Sequence, residues 1–325
     1  MKQISLLDHL SSSISNHFKL FSNGIGDREY LERVPELTKS ITPIQEIQIF
    51  WFEQKNLFIA DKLNGFFKSP YSEYLPEETK NAHFSFIKPK NFSIDTPIVL
   101  HLAATGEEGY LKRLYTMALP LINYGIASLI LENPYYGKRR PTNQNSFLIN
   151  TISDFFKMTT ATIEEGKSIL NYFYQKGHKK LAVTGISMGG SMASLVAANS
   201  CLPIASIPCL APHSPAPTFT EALLYSSLDW SALNKEFIAK ESAFDYVKQI
   251  LEEADIRKQP VPLRVDACIL IGGLYDGYVT TESVEEIHKH WYGSELRWIK
   301  SGHAGSFLFH NSDFRKAIRD SLNRI

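Results

Sequence analysis

Short apolar runs alternate with helical patterns through most of the chain. Apolar runs bounded by polar or turn residues predict strands buried on both faces at 97–103, 126–131, 180–184, 204–210 and 268–272. Apolar residues at helical spacing predict helices at 111–123, 149–175 and 188–199. A run at 296–299 predicts a last strand before a terminal helix. Strands that alternate with helices in this way predict a largely parallel sheet with helices on both faces.

Two other parts of the chain have different patterns. Between residues 45 and 90, apolar runs such as 47–52 and 83–87 alternate with turn residues, which predicts antiparallel strands at the first edge of the sheet. Residues 212–262 are rich in helical pattern and predict a cap. We therefore expect one domain made of an N-terminal helical extension with the first edge strands at 1–90, the first part of the core at 91–211, a helical cap or lid insertion at 212–262 and the second part of the core at 263–325.

The N-terminal segment predicts a helix with one apolar face. The residues at helical spacing are Ile4, Leu7, Ile14, Phe18 and Phe21. We expect this face to pack on the protein's own core, while contact with a membrane surface or a partner stays an alternative. The first residues are too short in apolar length for a secretory signal, and no run approaches the ~20 apolar residues of a membrane span. We expect no membrane span and a cytoplasmic location.

Composition and charge exclude several classes of function. The hydrophobic share of 44% and charged share of 21% are typical of a soluble globular protein. Lys+Arg and Asp+Glu are equal at 34 each, so no overall field favours nucleic acid, and we expect no such partner. Cys201, Cys209 and Cys268 form neither a CxxC pair nor a cluster with histidine, which argues against a disulfide framework or a zinc site. We expect these cysteines to be small buried side chains in a protein of a reducing compartment. The sequence leaves the oligomeric state open.

The candidate nucleophile is Ser187, in the motif Gly-Ile-Ser-Met-Gly at 185–189. The motif follows a predicted strand directly and precedes a predicted helix, which is the context of a nucleophile elbow. There the serine adopts a positive φ, and side chains at Gly185 and Gly189 would collide with the neighbouring helix and strand. The pattern predicts an α/β-hydrolase fold with a mostly parallel central sheet, an N-terminal extension and a helical cap.

A serine hydroxyl needs a base and an acid that orients the base, and in this fold they follow the serine in the order acid, then histidine. Asp276 directly follows a buried strand, so we predict it as the acid; a turn beside Gly277 is the alternative. His303 follows the last predicted strand between two glycines, and we predict it as the base. By contrast, His310 is expected within the last helix.

Two N–H donors must stabilise the oxyanion. Met188 follows the nucleophile and is predicted to supply the first N–H. The second is predicted to come from either Ala104 or Thr105, in the loop after the first buried strand. This chemistry needs neither a metal nor an organic cofactor.

Two further segments have two interpretations each. Lys138-Arg139-Arg140 follows aromatic residues and either holds a phosphate or carboxylate near the site or forms a solvated loop. Apolar residues of the predicted cap either line an acyl pocket or simply pack the cap. These cap residues are Phe219, Leu223, Leu224, Leu228, Trp230, Leu233, Phe237 and Ile238.

Several blocks of the sequence resemble the α/β-hydrolase domain-containing protein 18 family over roughly 230 residues. The most specific are Glu-Asn-Pro-Tyr-Tyr-Gly at 132–137 and Gly-Ile-Ser-Met-Gly-Gly at 185–190; others are Leu-Pro-Glu at 75–77, Ala-His-Phe at 82–84, His-Leu-Ala at 101–103 and Phe-Thr-Glu at 219–221. The resemblance implies a serine hydrolase whose triad maps to Ser187, Asp276 and His303. It also implies action on lipid acyl esters such as phospholipids.

The sequence therefore predicts a serine hydrolase that cleaves a carboxylic ester or other acyl substrate through an acyl-enzyme. The substrate is a small molecule or a lipid. An acyltransferase with the same triad is the first alternative, and a non-catalytic binding module is the second.

Overall fold

The structure is a computed structural model that describes residues 4–15, 17–38, 43–237 and 242–325. The described residues form one nine-stranded sheet with the strand order β1-β2-β3-β5-β4-β6-β7-β8-β9. The strands are β1 Phe50–Asn56, β2 Ala60–Lys68, β3 Asn81–Pro89, β4 Ile98–Leu102, β5 Ala127–Leu131, β6 Leu181–Ile186, β7 Ala205–Cys209, β8 Ile269–Gly273 and β9 Glu295–Ile299.

Helices lie before, between and after the strands. They are α1 Leu6–Ser15, α2 Arg28–Leu37, α3 Leu111–Arg113, α4 Leu119–Ile122, α5 Ile152–Gln175, α6 Met188–Ala198, α7 Pro215–Thr220, α8 Trp230–Asn234, α9 Ala243–Leu251, α10 Thr281–His290, α11 His303–Phe309 and α12 Asn311–Leu322. Short 3-10 helices are Ser72–Tyr74, Glu77–Thr79, Gly137–Arg139, Leu223–Ser227, Glu252–Ala254, Ile256–Lys258 and Val265–Ala267.

Strand directions confirm the predicted sheet. β4 pairs in parallel with β5 and β6, and the parallel order continues from β6 through β7 and β8 to β9. β1, β2 and β3 are antiparallel and form the predicted first edge. The sequence prediction missed β2, because its residues mix Lys62, Asn64 and Gly65 with apolar ones and give no clear apolar run.

The core occupies both faces of the sheet. Along β4, Ile98 and Leu100 belong to one apolar cluster with residues of α5 and α6, whereas Val99 belongs to a second cluster with residues of α12. Because successive side chains of a strand point to opposite faces, strands covered on both sides must be mainly apolar. This explains why these strands appear in the sequence as mainly apolar runs, interrupted only by small or hydrogen-bonded buried polar residues such as His101, Ser128 and Thr184.

The helix predicted at 111–123 is interrupted. α3 continues through a π-helical stretch, Leu114–Ala118, before α4 begins. Pro120 has no N–H to donate to the carbonyl of Thr116, four residues earlier, so a regular helix cannot continue there. Arg315 Nη1 donates to that carbonyl at 2.6 Å and satisfies it from α12.

The N-terminal helix packs differently from the prediction. Its apolar side chains face solvent, with Leu6 74% and Leu10 54% exposed, while Asp8 and Ser12 are buried. Ile4, Leu7 and Phe18 are exposed, so the prediction that they pack on the core is wrong. Phe21 is buried, but it lies beyond the end of α1. The side chain of Ile14 lies outside the described residues. The reason for the inverted packing is that Asp8 accepts backbone hydrogen bonds, as described below.

Residues 212–262 contain α7, α8 and α9, as the helical pattern indicates, and the division into core and cap remains a prediction. Leu228 and Leu233 are buried in the core, and Ile238 lies outside the described residues. Cys209 and Cys268 are buried as expected, whereas Cys201 is exposed. Among the helices that the structure describes, none is both long and apolar enough to cross a membrane.

Candidate active site

Ser187 occupies a sharp turn between β6 and α6. Its backbone has φ 57° and ψ −122°, a strained conformation for a residue with a side chain. A Cβ at Gly185 would lie 2.3 Å from the carbonyl carbon of Gly189, and a Cβ at Gly189 would lie 2.5 Å from the carbonyl oxygen of Leu102 in β4. The turn therefore requires both glycines, and it presents the serine at the carboxyl end of β6.

Asp276, in the loop after β8, and His303, the first residue of α11 at the end of the loop after β9, form a hydrogen-bonded pair. His303 Nδ1 lies 2.7 Å from Asp276 Oδ2. Asp276 Oδ1 accepts the backbone N–H groups of Tyr278 and Val279, each at 2.8 Å. The Asp276 side chain is buried and that of His303 is 15% exposed. The carboxylate is thus fixed by its own loop and presents its other oxygen to the imidazole.

Electrostatics favour a basic imidazole at His303. Burial by itself would lower the pKa of His303, but the negative charge and hydrogen bond of Asp276, with a contribution from the charge of Asp8, raise that pKa above its usual value. Other histidines differ: burial lowers the pKa of His101 to about 3, and its Nε2 lies 3.1 Å from Ser128 Oγ. His310 lies between α11 and α12, not within the last helix as predicted.

Two cavities meet at Ser187. An open cleft of about 240 Å³ is lined by Ser187 and His303, together with Ala104, Thr105 and Tyr278. A narrower pocket of about 50 Å³ shares Thr105, Ser187 and Leu224 with that cleft. The narrower pocket is otherwise lined mainly by apolar residues, among them Phe155, Met192, Leu195, Phe219 and Val279. The structure thus brings Ser187 and His303 to one cavity.

The candidate oxyanion donors differ in their hydrogen bonds. Met188 is the first residue of α6, where a backbone N–H has no acceptor within the helix. The N–H of Ala104 already donates to Glu107 Oε2 at 3.1 Å. Thr105 is exposed in the next position and lines both cavities. The N–H of Ala104 is therefore already used within its own loop.

The loop after β4 is held by the segment that follows β5. The N–H of Gly106 donates to Tyr136 Oη at 3.0 Å, and the N–H of Gly109 donates to Glu132 Oε1 at 2.9 Å. In return, the N–H of Gly137 donates to Glu108 Oε1 at 2.9 Å. The 132–137 block therefore supports the loop that carries Ala104 and Thr105.

The cations after this block do not form an anion site. Arg139 and Glu165 are fully buried and joined by two hydrogen bonds of 2.6 and 2.7 Å. Arg140 pairs with Glu108, and Lys138 Nζ lies 5.5 Å from the centre of the Phe52 ring. Both interpretations of this run, phosphate binding and a solvated loop, are wrong for buried Arg139, whereas Arg140 is partly exposed and Lys138 is exposed. A charge pattern does not reveal partners that are distant in sequence.

Two residues of the site were missed by sequence reasoning. Asp8 is buried and accepts hydrogen bonds from the loops that carry Asp276 and His303. The Tyr278 ring centre lies 5.1 Å from that of His303. Tyr278 lies two residues after the predicted acid, so proximity in sequence was a usable signal, whereas nothing local distinguishes Asp8. In the described ranges, no group of three or more His, Cys, Asp or Glu residues has the arrangement of a metal site.

Comparison with known proteins gives the same fold. The acetyl xylan esterase from Paenibacillus sp. R4 superimposes with a TM-score of 0.64 at 14% identity, covering 95% of this chain and 98% of that one. Acetyl xylan esterase 1 from Thermoanaerobacterium sp. JW/SL YS485 gives 0.60 at 13% identity, with 94% and 98% covered. A cold-adapted esterase from an Arctic intertidal metagenomic library gives 0.56 at 12% identity, with 85% and 99% covered. The chain therefore has the α/β-hydrolase fold.

A family model also matches nearly the whole chain. Its description is alpha/beta hydrolase domain containing 18, and it matches residues 18–252 and 238–324.

Proposed function

The chain belongs to the alpha/beta hydrolase domain containing 18 family, and from this premise we propose that it is a serine hydrolase that cleaves carboxylic esters. The observation that carries the proposal is the cleft shared by Ser187 and His303, with His303 bonded to Asp276. A strained serine turn and an imidazole oriented by a carboxylate are the parts that acyl transfer through a serine needs. The esterase names of the structural neighbours agree with this chemistry.

Each residue has a distinct role in the proposed reaction. His303 Nδ1–H donates to Asp276, which leaves Nε2 to take the proton of Ser187 as its oxygen attacks the ester carbonyl. The N–H groups of Met188 and Thr105 stabilise the oxyanion of the tetrahedral intermediate. His303 then protonates the leaving alcohol, and water activated by the same ring releases the acid.

The two cavities suggest how the ester lies in the site. The leaving oxygen must lie near His303 to receive its proton, and His303 lines the open cleft but not the narrow pocket. We therefore assign the alcohol part of the ester to the cleft and the acyl part to the narrow pocket. The apolar lining of that pocket favours a hydrocarbon acyl group, because burying methylene groups stabilises binding by about 0.8 kcal/mol each.

A lipid ester fits this arrangement. The narrow pocket shares Thr159, Leu195 and Ala254 with a further pocket, so the two are adjacent, and we propose that a longer acyl chain extends past Ala254 by displacing these side chains. Helices α1 and α11 line the cleft through Ser11 and Phe307 and carry exposed apolar side chains. These are Leu6, Leu7, Leu10, Leu308 and Phe309. Such a surface near the cleft supports peripheral contact with a lipid surface during catalysis.

A fluorophosphonate probe tests the nucleophile. We expect labelling of the wild-type protein that disappears in Ser187→Ala, because the probe reacts with serines activated by a base. Ser312→Ala, a change at an exposed serine of α12, is the matched control and is expected to label like wild type. Folded wild-type protein that takes up no probe, or Ser187→Ala that still takes it up, refutes the proposal and favours a non-catalytic module.

Substrate class is tested separately. We expect hydrolysis of p-nitrophenyl esters to increase from acetate to medium acyl chains, and release of fatty acid from phospholipid vesicles to depend on Ser187. A preference for acetate with no activity on vesicles would contradict the lipid assignment but leave the nucleophile untouched. Transfer of the acyl group to an added alcohol in preference to water would identify an acyltransferase.

A further inference from the structure

The carboxylate of Asp8 links the two loops that carry the acid and the base. Asp8 Oδ2 accepts the N–H of Gly277 at 2.9 Å and the N–H of His303 at 2.8 Å, and Oδ1 accepts the N–H of Ala304 at 2.9 Å. Gly277 immediately follows Asp276 in the chain. The side chain is fully buried, so these bonds have no competition from water. One carboxylate from α1 thus bonds to the backbone on both sides of the Asp276–His303 pair.

Two glycines make room for this contact. A Cβ at Gly302 would lie 2.3 Å from the Cβ of Ser5 and 2.8 Å from both carboxylate oxygens of Asp8. A Cβ at Gly277 would lie 2.6 Å from Cγ2 of Ile4. A side chain at Gly302 would therefore collide with the segment that begins α1 and with the Asp8 carboxylate, and one at Gly277 would require the Ile4 side chain to move.

Further bonds hold α1 against the same loops. The N–H of Ser5 donates to the carbonyl of Tyr275 at 3.0 Å. The hydroxyls of Ser11 and Tyr278 share a hydrogen bond of 2.6 Å. Since the Tyr278 ring lies beside His303, α1 contacts the acid loop, the base loop and the aromatic ring next to the base.

We propose that Asp8 is a positioning residue of the active site, whose carboxylate fixes the Asp276 loop and the His303 loop relative to each other. This inference rests on the proposed hydrolase function. Asp8 touches neither Ser187 nor the substrate cavities, so it acts through the position of His303. The two loops are joined directly by the N–H of Tyr275, which donates to the carbonyl of Ser301 at 3.1 Å, and the three bonds to Asp8 add a second link between them. Ordering of this kind matters because a displacement of about 1 Å in a catalytic group can lower the rate about 10²-fold.

Asp8 also affects the charge state of the base. Its negative charge favours the imidazolium form and contributes to the raised pKa of His303, together with the larger contribution of Asp276. The titratable groups that face His303 are Asp276, Asp8 and Tyr278. Removing the charge of Asp8 must therefore lower the pKa of His303, whereas a loss of folded protein alone would not move it.

Asp8→Asn tests the inference with little change in shape. An amide has one acceptor oxygen, so its NH₂ group would face at least one of the three N–H donors and that bond would be lost. We expect kcat to fall about 10²-fold with KM unchanged, since Asp8 does not touch substrate. We also expect the His303 titration midpoint, followed by NMR of the full-length protein and assigned with His303→Ala, to move to lower pH.

Control variants separate positioning from folding. Ser13→Ala changes an exposed residue of the same helix and is expected to match wild type in kcat and midpoint. Gly302→Ala keeps Asp8 but displaces α1, and it is expected to lower kcat as Asp8→Asn does. The NMR midpoint does not depend on how much of the sample is folded, so it remains informative if Asp8→Asn folds in low yield.

The outcomes distinguish this inference from the proposed function. Asp8→Asn with wild-type kcat and an unchanged His303 midpoint overturns the role of Asp8. Absence of Ser187-dependent labelling in wild type refutes the hydrolase proposal, while the midpoint of His303 still shows whether Asp8 acts on the pair.

Discussion

Replacing Asp276 by asparagine exchanges one carboxylate oxygen for an NH₂ group, and the surrounding hydrogen bonds determine which one. The N–H groups of Tyr278 and Val279 both donate to Oδ1 at 2.8 Å, so the amide oxygen must occupy that position. The NH₂ group then faces His303 Nδ1, where the carboxylate accepted a hydrogen bond at 2.7 Å. The ring must switch tautomer and carry its proton on Nε2. A ring in that state cannot accept the proton of Ser187.

The magnitude follows from the loss of the base. Without a correctly protonated imidazole, a serine triad retains the catalysis of its oxyanion donors and substrate binding, and kcat falls by about 10³- to 10⁴-fold. At 1.36 kcal/mol for each factor of ten, this is about 4–5.5 kcal/mol of transition-state stabilisation. KM should change little, because Asp276 lines neither the cleft nor the narrow pocket at Ser187.

The assay is steady-state hydrolysis of a p-nitrophenyl ester by wild type, Asp276→Asn, His303→Ala and the double variant. Because the two residues act as a unit, the double variant should be no slower than His303→Ala alone. Circular dichroism spectra establish that each protein is folded. A loss of less than tenfold in Asp276→Asn, or losses that multiply in the double variant, would refute the tautomer argument.

Three further predictions concern the base, its supporting loop and the buried ion pair. Activity (kcat/KM) should be lost on acidification with a midpoint above pH 6.5, because the pKa of His303 is raised and only its neutral form accepts a proton; a pH–rate profile with a lower midpoint contradicts this. Tyr136→Phe leaves the N–H of Gly106 without its acceptor, so urea unfolding should show a loss of about 1–3 kcal/mol and kcat should fall; unchanged values would exclude a supporting role. Glu165→Gln leaves the charge of Arg139 buried without its counter-charge and should lower the free energy of unfolding by about 3–5 kcal/mol, whereas replacing both residues by methionine should restore most of it. A urea titration in which the single change costs under about 1 kcal/mol would show that the pair is dispensable.

The sequence predicted those parts of the molecule that depend on local pattern. The buried strands were recognisable because both of their faces are covered, which makes them mainly apolar. Ser187 could be identified as the candidate nucleophile because the elbow needs a glycine on each side of the serine within five residues. Asp276 and His303 could be proposed because loops at the carboxyl ends of parallel strands meet at one edge of the sheet.

The remaining features depend on contacts that are distant along the chain. The partner of Arg139 is 26 residues away, and the N–H of His303 is 295 residues from Asp8. Nothing near Asp8 in the sequence distinguishes it from a solvated acidic residue on an amphipathic helix. The π-helical stretch Leu114–Ala118 likewise depends on Arg315 in α12, although Pro120 gave a local signal against a regular helix.

The bond between Asp8 and His303 also has a consequence for how the protein is made. A ribosome adds about 5–20 residues per second, so Asp8 is synthesised roughly 15–60 s before His303. For most of that interval the backbone groups of Gly277, His303 and Ala304, to which Asp8 will bond, do not yet exist. The loops that carry Asp276 and His303 both follow α1 by more than half of the described chain, since Gly277 is 269 and His303 295 residues from Asp8. The full set of bonds between α1 and these two loops can therefore form only after β9, the last strand of the sheet, has been synthesised.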